Sequence, residues 1–411
     1  MAKRTILVFP FPLLAHYLRL AELLIPIKND HEILFAGGTS AARYVEELGF
    51  STFPCANFDP DHVLRAAQRF DFSWLDEQSL RRTLEAQISA VETFRPQLII
   101  SDAAQTARIA AETTSTPHLA LVNSYMTRYS LVPRGVPQTH PARKYQEKVP
   151  PGIFQQITRI AEAVSMWRVH RPFRRLRREF KVPACGSYLD EFLGDVTALC
   201  DSERIFPVSK LPHNLHVIGP IYYSGRASEV TRLLLPNNRK IIYVTMGSSG
   251  VWEGIRLLDD PKFSDFVVVV SGRASEQLKG SHVIRSEFID PNEILPRASL
   301  VICHGGNGTL YQALAHGVPT LVRPTIFEQE WNVARFEELG LVRRIAREPT
   351  SDEFLQLINE TIADTEYRVR LKAEARTIRL EETQTNFSNL IKRFEPGQDS
   401  GGEEGIPLPG F

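Results

Sequence analysis

Short apolar runs alternate with amphipathic stretches along the first two hundred residues, a pattern that predicts a parallel sheet joined by crossover helices. The runs 5–9, 32–35, 97–101, 118–122 and 196–200 read as strands. The helices between them carry their own punctuation. Ser40 reads as an N-cap with Gly49 as the stop, and the stretch 77–94 ends just ahead of Pro96. A second alternation starts after residue 235, with strands at 240–245, 266–271, 300–303 and 320–322 and helices at 308–316 and 328–339. Between the two series, 206–226 holds three prolines and two glycines without helical period and reads as a linker.

The pattern implies two doubly wound α/β domains facing each other across a cleft. Residues 1–218 form the first, 219–385 the second, and 386–411 close the last helix and run into a Gly-, Pro- and Glu-rich tail read as disordered. The stretch 127–195 breaks the alternation. Within it, the helix segment opening on Arg168 and closing on Lys181 has six Arg and one Lys against one Glu. Such a run could touch anionic lipid or an acidic substrate, but a solvated helix face is the ordinary reading.

Composition narrows the classes. With 411 residues, 43% hydrophobic and 23% charged, the chain has room for two ordinary cores. Lys plus Arg and Asp plus Glu number 48 each, so a global electrostatic grip on nucleic acid is not expected. The four cysteines, Cys55, Cys185, Cys200 and Cys303, form no CxxC pair and read as reduced thiols of a cytoplasmic protein. Lys3 and Arg4 before the apolar run 6–15 imitate a signal peptide, but Pro10 and Pro12 interrupt it.

The chemistry concentrates in the string His304, Gly305, Gly306, Asn307, Gly308, Thr309, placed directly between a strand and a helix. Glycines let backbone amides approach a ligand, and a helix N-terminus adds unpaired N–H donors and a positive dipole end, so the string reads as a diphosphate site. It matches neither GxGxxG nor the Walker pattern. A merely tight turn would explain the glycines but not the flanking His304 and Thr309.

From Phe288 onward the ordered elements LPRASLVICHGGNGT, ALAHGVPTLVRP and EQEWNVARFEELG resemble the nucleotide-sugar signature of family-1 glycosyltransferases, the UDP-glycosyltransferases of the GT-B fold. The resemblance implies that Phe288 stacks on uracil and that His304 contacts the diphosphate. It also implies that Gly306, Asn307, Gly308 and Thr309 surround the diphosphate, and that Gln312 faces the ribose. Glu328 and Gln329 would then bind sugar hydroxyls, with Asn332 three residues on, and Ser248 after Gly247 would donate to the phosphates. Plant members place Trp where Phe288 and Asn307 stand and many members use Glu where Gln312 stands, so the pattern is closer to the microbial one.

The first strand runs into Pro10, Phe11, Pro12, Leu13, Leu14, Ala15 and His16, which resembles the family's first loop, where a His is the general base. An imidazole near its usual pKa can take a proton from a hydroxyl as that oxygen attacks. Asp102, at the end of the strand 97–101, matches the family's second catalytic residue and would orient the ring. Read without the family, His16 could be structural and Asp102 a helix cap.

The implied activity is inverting transfer of a hexosyl group, glucose first, from a UDP-sugar to a hydroxyl of a small-molecule acceptor. The UDP-sugar is a co-substrate, and neither a cofactor nor a metal is expected, since no Asp-x-Asp pair ends a strand. A UDP-sugar epimerase, a lipid-acceptor transferase of the same fold and a non-catalytic sugar-nucleotide binder are the alternatives. The epimerase would need further acid–base carboxylates, the lipid enzyme a glycine-rich first loop, and the binder would lack His16 or Asp102.

Overall fold

The computed structural model describes residues 3–395 apart from Thr139, 226–238, Ser248, Val251, 273–275 and Gln277. The first sheet holds β1 (Arg4–Pro10), β2 (His31–Ala36), β3 (Ser51–Phe53), β4 (Leu98–Asp102), β5 (His118–Val122), β6 (Val196–Leu199) and β7 (Leu215–Val217). The second holds β8 (Lys240–Thr245), β9 (Phe266–Ser271), β10 (Val283–Ser286), β11 (Ala298–Cys303), β12 (Thr320–Val322) and β13 (Arg343–Arg344). β4, β5 and β9 are buried along their whole length, as expected for parallel strands covered by helices on both faces.

The strand orders are β3-β2-β1-β4-β5-β6-β7 and β10-β9-β8-β11-β12-β13, with every ladder parallel. Each order reverses direction once, between β1 and β4 in the first sheet and between β8 and β11 in the second. Chains leaving neighbouring strands there diverge to opposite faces and open a crevice at the strands' carboxyl ends. Register places Pro10 opposite Asp102 and Thr245 opposite Cys303, so the segments holding His16 and His304 each leave a reversal point.

The central strands lie where the apolar runs predict them. The edge strands β3, β10 and β13 go unpredicted, and β7 falls inside the segment read as linker. Ser40 does not cap the second helix, Ala42–Glu47, whose N-cap is Ala41 without a side-chain bond. The tail expected to be disordered lies outside the described residues from 396 on. The final helix, Leu380–Lys392, returns to the first domain: Leu380, Phe387, Leu390 and Ile391 share one apolar cluster with Leu20 and Leu24 of the first helix and with Ile6 and Val8 of β1. A boundary at 385 therefore cuts through a helix that packs on the first domain. Conversely, Tyr125, Ile205 and Phe206 of the first domain pack into the second domain's core with Phe336 and Tyr311.

Candidate active site

Beyond Pro10 the chain turns sharply, with Phe11 N–H donating to the Asp102 carbonyl at 2.9 Å and His16 N–H to Leu13 O at 3.0 Å. The turn opens the helix Leu14–Leu24 and brings His16 and Arg19, three residues apart on one helix face, over the end of β4. His16 Nδ1 lies 3.0 Å from Asp102 Oδ2; the His side chain is 14% exposed and Asp102 fully buried. The ring nitrogen faces the carboxylate at this short distance without the alignment of a hydrogen bond. Phe11 meets the imidazole edge-on at 5.2 Å.

Arg19 escapes sequence reasoning, and its one signal is a cation three residues beyond His16 on the same face of the first helix. Its Nε and Nη2 donate to the two Asp102 oxygens at 2.5 Å each. Burial by itself would raise the Asp102 carboxyl, but Arg19 and then His16 outweigh it and hold the group below the usual range. From Arg19 a buried polar chain continues. Nη1 donates to Asn123 Oδ1 at 2.9 Å, and Asn123 Nδ2 donates to both Asp201 oxygens at 3.3 Å. Asp201 also accepts from Ser124 N–H at 2.6 Å and, across the domain boundary, from Asn307 Nδ2 at 2.8 Å. Asp102, beside His16, and the glycine-rich loop are thus ends of one hydrogen-bonded path. Burial raises the Asp201 carboxyl despite these donors.

The second reversal point is built differently. His304 is 5% exposed, and a Cβ on Gly247 would stand 2.7 Å from its Cε1, one on Gly306 2.5 Å from its Nε2. Only glycine fits at either place, and Gly247 also has φ +57°. Burial pushes the imidazole down to about 4, so the ring is neutral near pH 7, and its buried Nδ1 has no partner among the described residues. The helix Asn307–Ala315 starts at once, capped by Gly306 with no side-chain bond. The amides of Asn307, Gly308 and Thr309 therefore lack intrahelical acceptors at the positive dipole end, a ready anion site. The Asn307 side chain is engaged by Asp201, so it fixes the loop and leaves the backbone to a ligand.

The remaining expected residues distribute as follows. Ser248 lies outside the described residues, although Gly247 and Ser249 beside it line the cleft. Half-buried Phe288 packs against Tyr44 of the first domain at 5.8 Å and edge-on to Tyr223 at 6.0 Å, two aromatics that sequence reasoning misses. Gln312 donates its amide nitrogen to the Tyr223 carbonyl at 2.5 Å, so the end it offers a ligand is its oxygen. Gln329 departs from expectation. Its Oε1 accepts from Thr325 N–H at 2.8 Å and Thr325 Oγ1 at 3.0 Å, and its Nε2 donates to Ser249 Oγ at 3.0 Å, so this 2% exposed side chain holds the start of the helix Phe327–Glu338. Glu328 accepts from the Tyr125 hydroxyl at 2.6 Å. Asn332 is 1% exposed and neither end of its amide has a partner among the described residues, an arrangement expensive to bury unless a ligand satisfies it.

His16, Phe288, His304, Gln312, Glu328 and Asn332 all line one interdomain cleft of about 330 Å³. A cavity of about 290 Å³ at the opposite end of β5, beside Arg108, Glu112 and His118, holds none of them. Among the described residues, His170, Cys185 and Glu191 alone gather as possible metal ligands. They lie away from the cleft, and Arg177 already donates to both Glu191 oxygens. No described helix is long and apolar enough to cross a membrane.

The glycosyltransferase family 28 C-terminal domain matches residues 266–392, which include the glycine-rich loop. A PGL/p-HBAD biosynthesis glycosyltransferase of Mycobacterium tuberculosis (strain ATCC 25177 / H37Ra) is 24% identical over 384 residues, covering 88% of this chain and 86% of that protein. A PGL/p-HBAD biosynthesis rhamnosyltransferase of Mycobacterium bovis (strain BCG / Pasteur 1173P2) is 23% identical over 307 residues, 71% of this chain and 66% of that one. Among solved structures, the glycotransferase of kitacinnamycin superimposes with a TM-score of 0.73 at 21% identity, over 96% of this chain and all of that one, a likeness that speaks for the fold. The chain adopts the GT-B fold.

Proposed function

Starting from a glycosyltransferase of the GT-B type, we propose inverting transfer of a hexosyl group from a UDP-sugar to a hydroxyl of a small-molecule acceptor. One observation carries the reading: a carboxylate-paired imidazole and an anion-binding helix start line the same cleft. His16 takes the acceptor proton while the acceptor oxygen bonds to the anomeric carbon. The bond from that carbon to the diphosphate oxygen breaks on the opposite face, so configuration inverts. Asp102 stabilises the imidazolium that forms. The departing diphosphate gathers charge where the neutral His304 and the amides of Asn307 to Thr309 offer N–H donors. Among residues of this chain the pathway needs no metal ligand. Closure of two domains over the donor would keep out the water that competes with the acceptor.

The nucleotide reading rests on Phe288 with Tyr44 and Tyr223, an aromatic surface suited to a pyrimidine. Hexose selection rests on Glu328 and the unpartnered amide of Asn332. Glucose is the first sugar to try and no more than that, because a rhamnosyltransferase is among the similar proteins and Gln329 is already engaged. The four cysteines are free, in keeping with a reducing compartment such as the cytoplasm. The test is mass spectrometry of the protein with UDP-, dTDP- and GDP-hexoses and a panel of phenols and alcohols, followed by NMR of the product's anomeric centre. Inverted configuration and a preference for UDP over GDP are expected; retained configuration would refute the mechanism.

A further inference from the structure

Seven of the nine large hydrophobics left exposed among the described residues fall between Leu131 and Trp167. Five of them, Ile153, Ile157, Ile160, Val164 and Trp167, recur at alternating four- and three-residue steps on the helix Pro151–Glu179 and are 44% to 65% exposed. That spacing makes one continuous stripe, and it faces solvent. The opposite face holds the helix to the first domain through buried Phe173, Leu176 and His170 and through Arg177, which pairs with Glu191 and Glu112. Low overall amphipathicity of the sequence hides this, because both faces carry apolar residues.

The basic run continues the same stripe. Arg171, Arg175 and Arg178 follow Trp167 at steps of four, four and three, and all three are exposed, as is Arg168 beside them. Arg171 and Arg174 lie over the Trp167 ring at 5.5 Å and 5.3 Å. Arg175 pairs with Glu77, while among the described residues Arg168, Arg171, Arg174 and Arg178 pair with no carboxylate. In a chain of zero formal charge this is a local field.

We propose that the outward face of this helix seats the protein on an anionic bilayer surface, the isoleucine half in the headgroup–acyl boundary, Trp167 at its edge and the arginine half against lipid phosphates. Such a surface satisfies both halves at once. A second copy of the chain satisfies only the isoleucine half: parallel pairing stacks the arginines, and antiparallel pairing leaves them without a counter-charge.

The full-length protein is sedimented with vesicles of phosphatidylcholine alone and of phosphatidylcholine with phosphatidylglycerol, so the readout is independent of donor, acceptor or turnover. Binding to the anionic vesicles, weakening with added salt, is expected. Ile157→Asp with Ile160→Asp should abolish it, and Arg171→Gln and Arg178→Gln should each weaken it roughly fivefold. Both pairs are solvent-exposed, and unchanged thermal unfolding confirms that they fold. Absence of sedimentation with every vesicle, or binding by all three variants equal to that of wild type, refutes the proposal. So does a wild-type dimer in analytical ultracentrifugation that Ile160→Asp dissociates, since the stripe would then be a self-contact.

Discussion

The two sheets each reverse direction once, and each reversal presents a histidine to the same cleft, yet the two sites treat charge in opposite ways. At the first, three ionisable groups, His16, Asp102 and Arg19, are gathered within contact distance and the carboxylate is kept ionised. At the second, His304 stands among glycines with burial pushing its pKa down to about 4. One reversal point carries a paired carboxylate and guanidinium; the other surrounds its imidazole with glycine backbone. Identical topology thus holds an imidazole beside a carboxylate on one wall and a glycine-flanked imidazole on the other, and the difference lies in whether the neighbouring strand ends in an acid or in a glycine turn.

The sharpest way to break the contrast is His16→Ala. Loss of a general base should lower turnover by roughly 10² to 10⁴ with an aliphatic alcohol acceptor while calorimetry finds UDP affinity unchanged. A mutant keeping more than about a tenth of the turnover would remove His16 from the chemistry. Next in size is Arg19→Leu, which leaves a buried carboxylate with only His16 beside it. Breaking a buried pair costs about 3–5 kcal/mol, to be read in urea unfolding. A stability equal to wild type would mean that Arg19 and Asp102 contribute no net stabilisation as a pair. Smaller is His304→Ala, which should weaken UDP binding by about 1.5–3 kcal/mol, the worth of a hydrogen bond to a charged group. It should leave the unfolding midpoint at pH 8 nearly in place.

A further effect, spread over a window of pH, separates the two sites. His304 titrates near 6.5 when unfolded and about 4 when folded, so below 6.5 the unfolded chain binds the extra proton. Its contribution is therefore fully present above 6.5 and is lost as pH falls towards 4. Midpoints measured across that window should fall more steeply in wild type than in His304→Asn. Parallel profiles would place the titrating group elsewhere.

The sequence makes some of this visible and hides the rest for physical reasons. β1, β4, β8 and β11 are long apolar runs and could be read directly, and with them the positions of His16, Asp102 and His304. β3, β7 and β13 are two or three residues long and paired on one side only, too short for a period to register. Arg19 and Asp201 are single polar residues whose meaning comes from partners about eighty and a hundred positions away, which no local pattern encodes. Gln329 illustrates the reverse: a motif position was legible, but its bonds with Thr325 and Ser249 were not. The final helix is visibly amphipathic, which says that it packs but not on which domain.

That last helix has a mechanical consequence. The chain passes between the lobes twice, once after β7 and again just ahead of Leu380, and the returning helix is pinned where it lands, with Asn386 Nδ2 donating to the Ile218 carbonyl at 3.0 Å and Thr383 Oγ1 to the Pro220 carbonyl at 3.1 Å. Two crossings fastened side by side make a double strap, so the walls of the cleft are tied by two lengths of chain at one edge and not by a single thread.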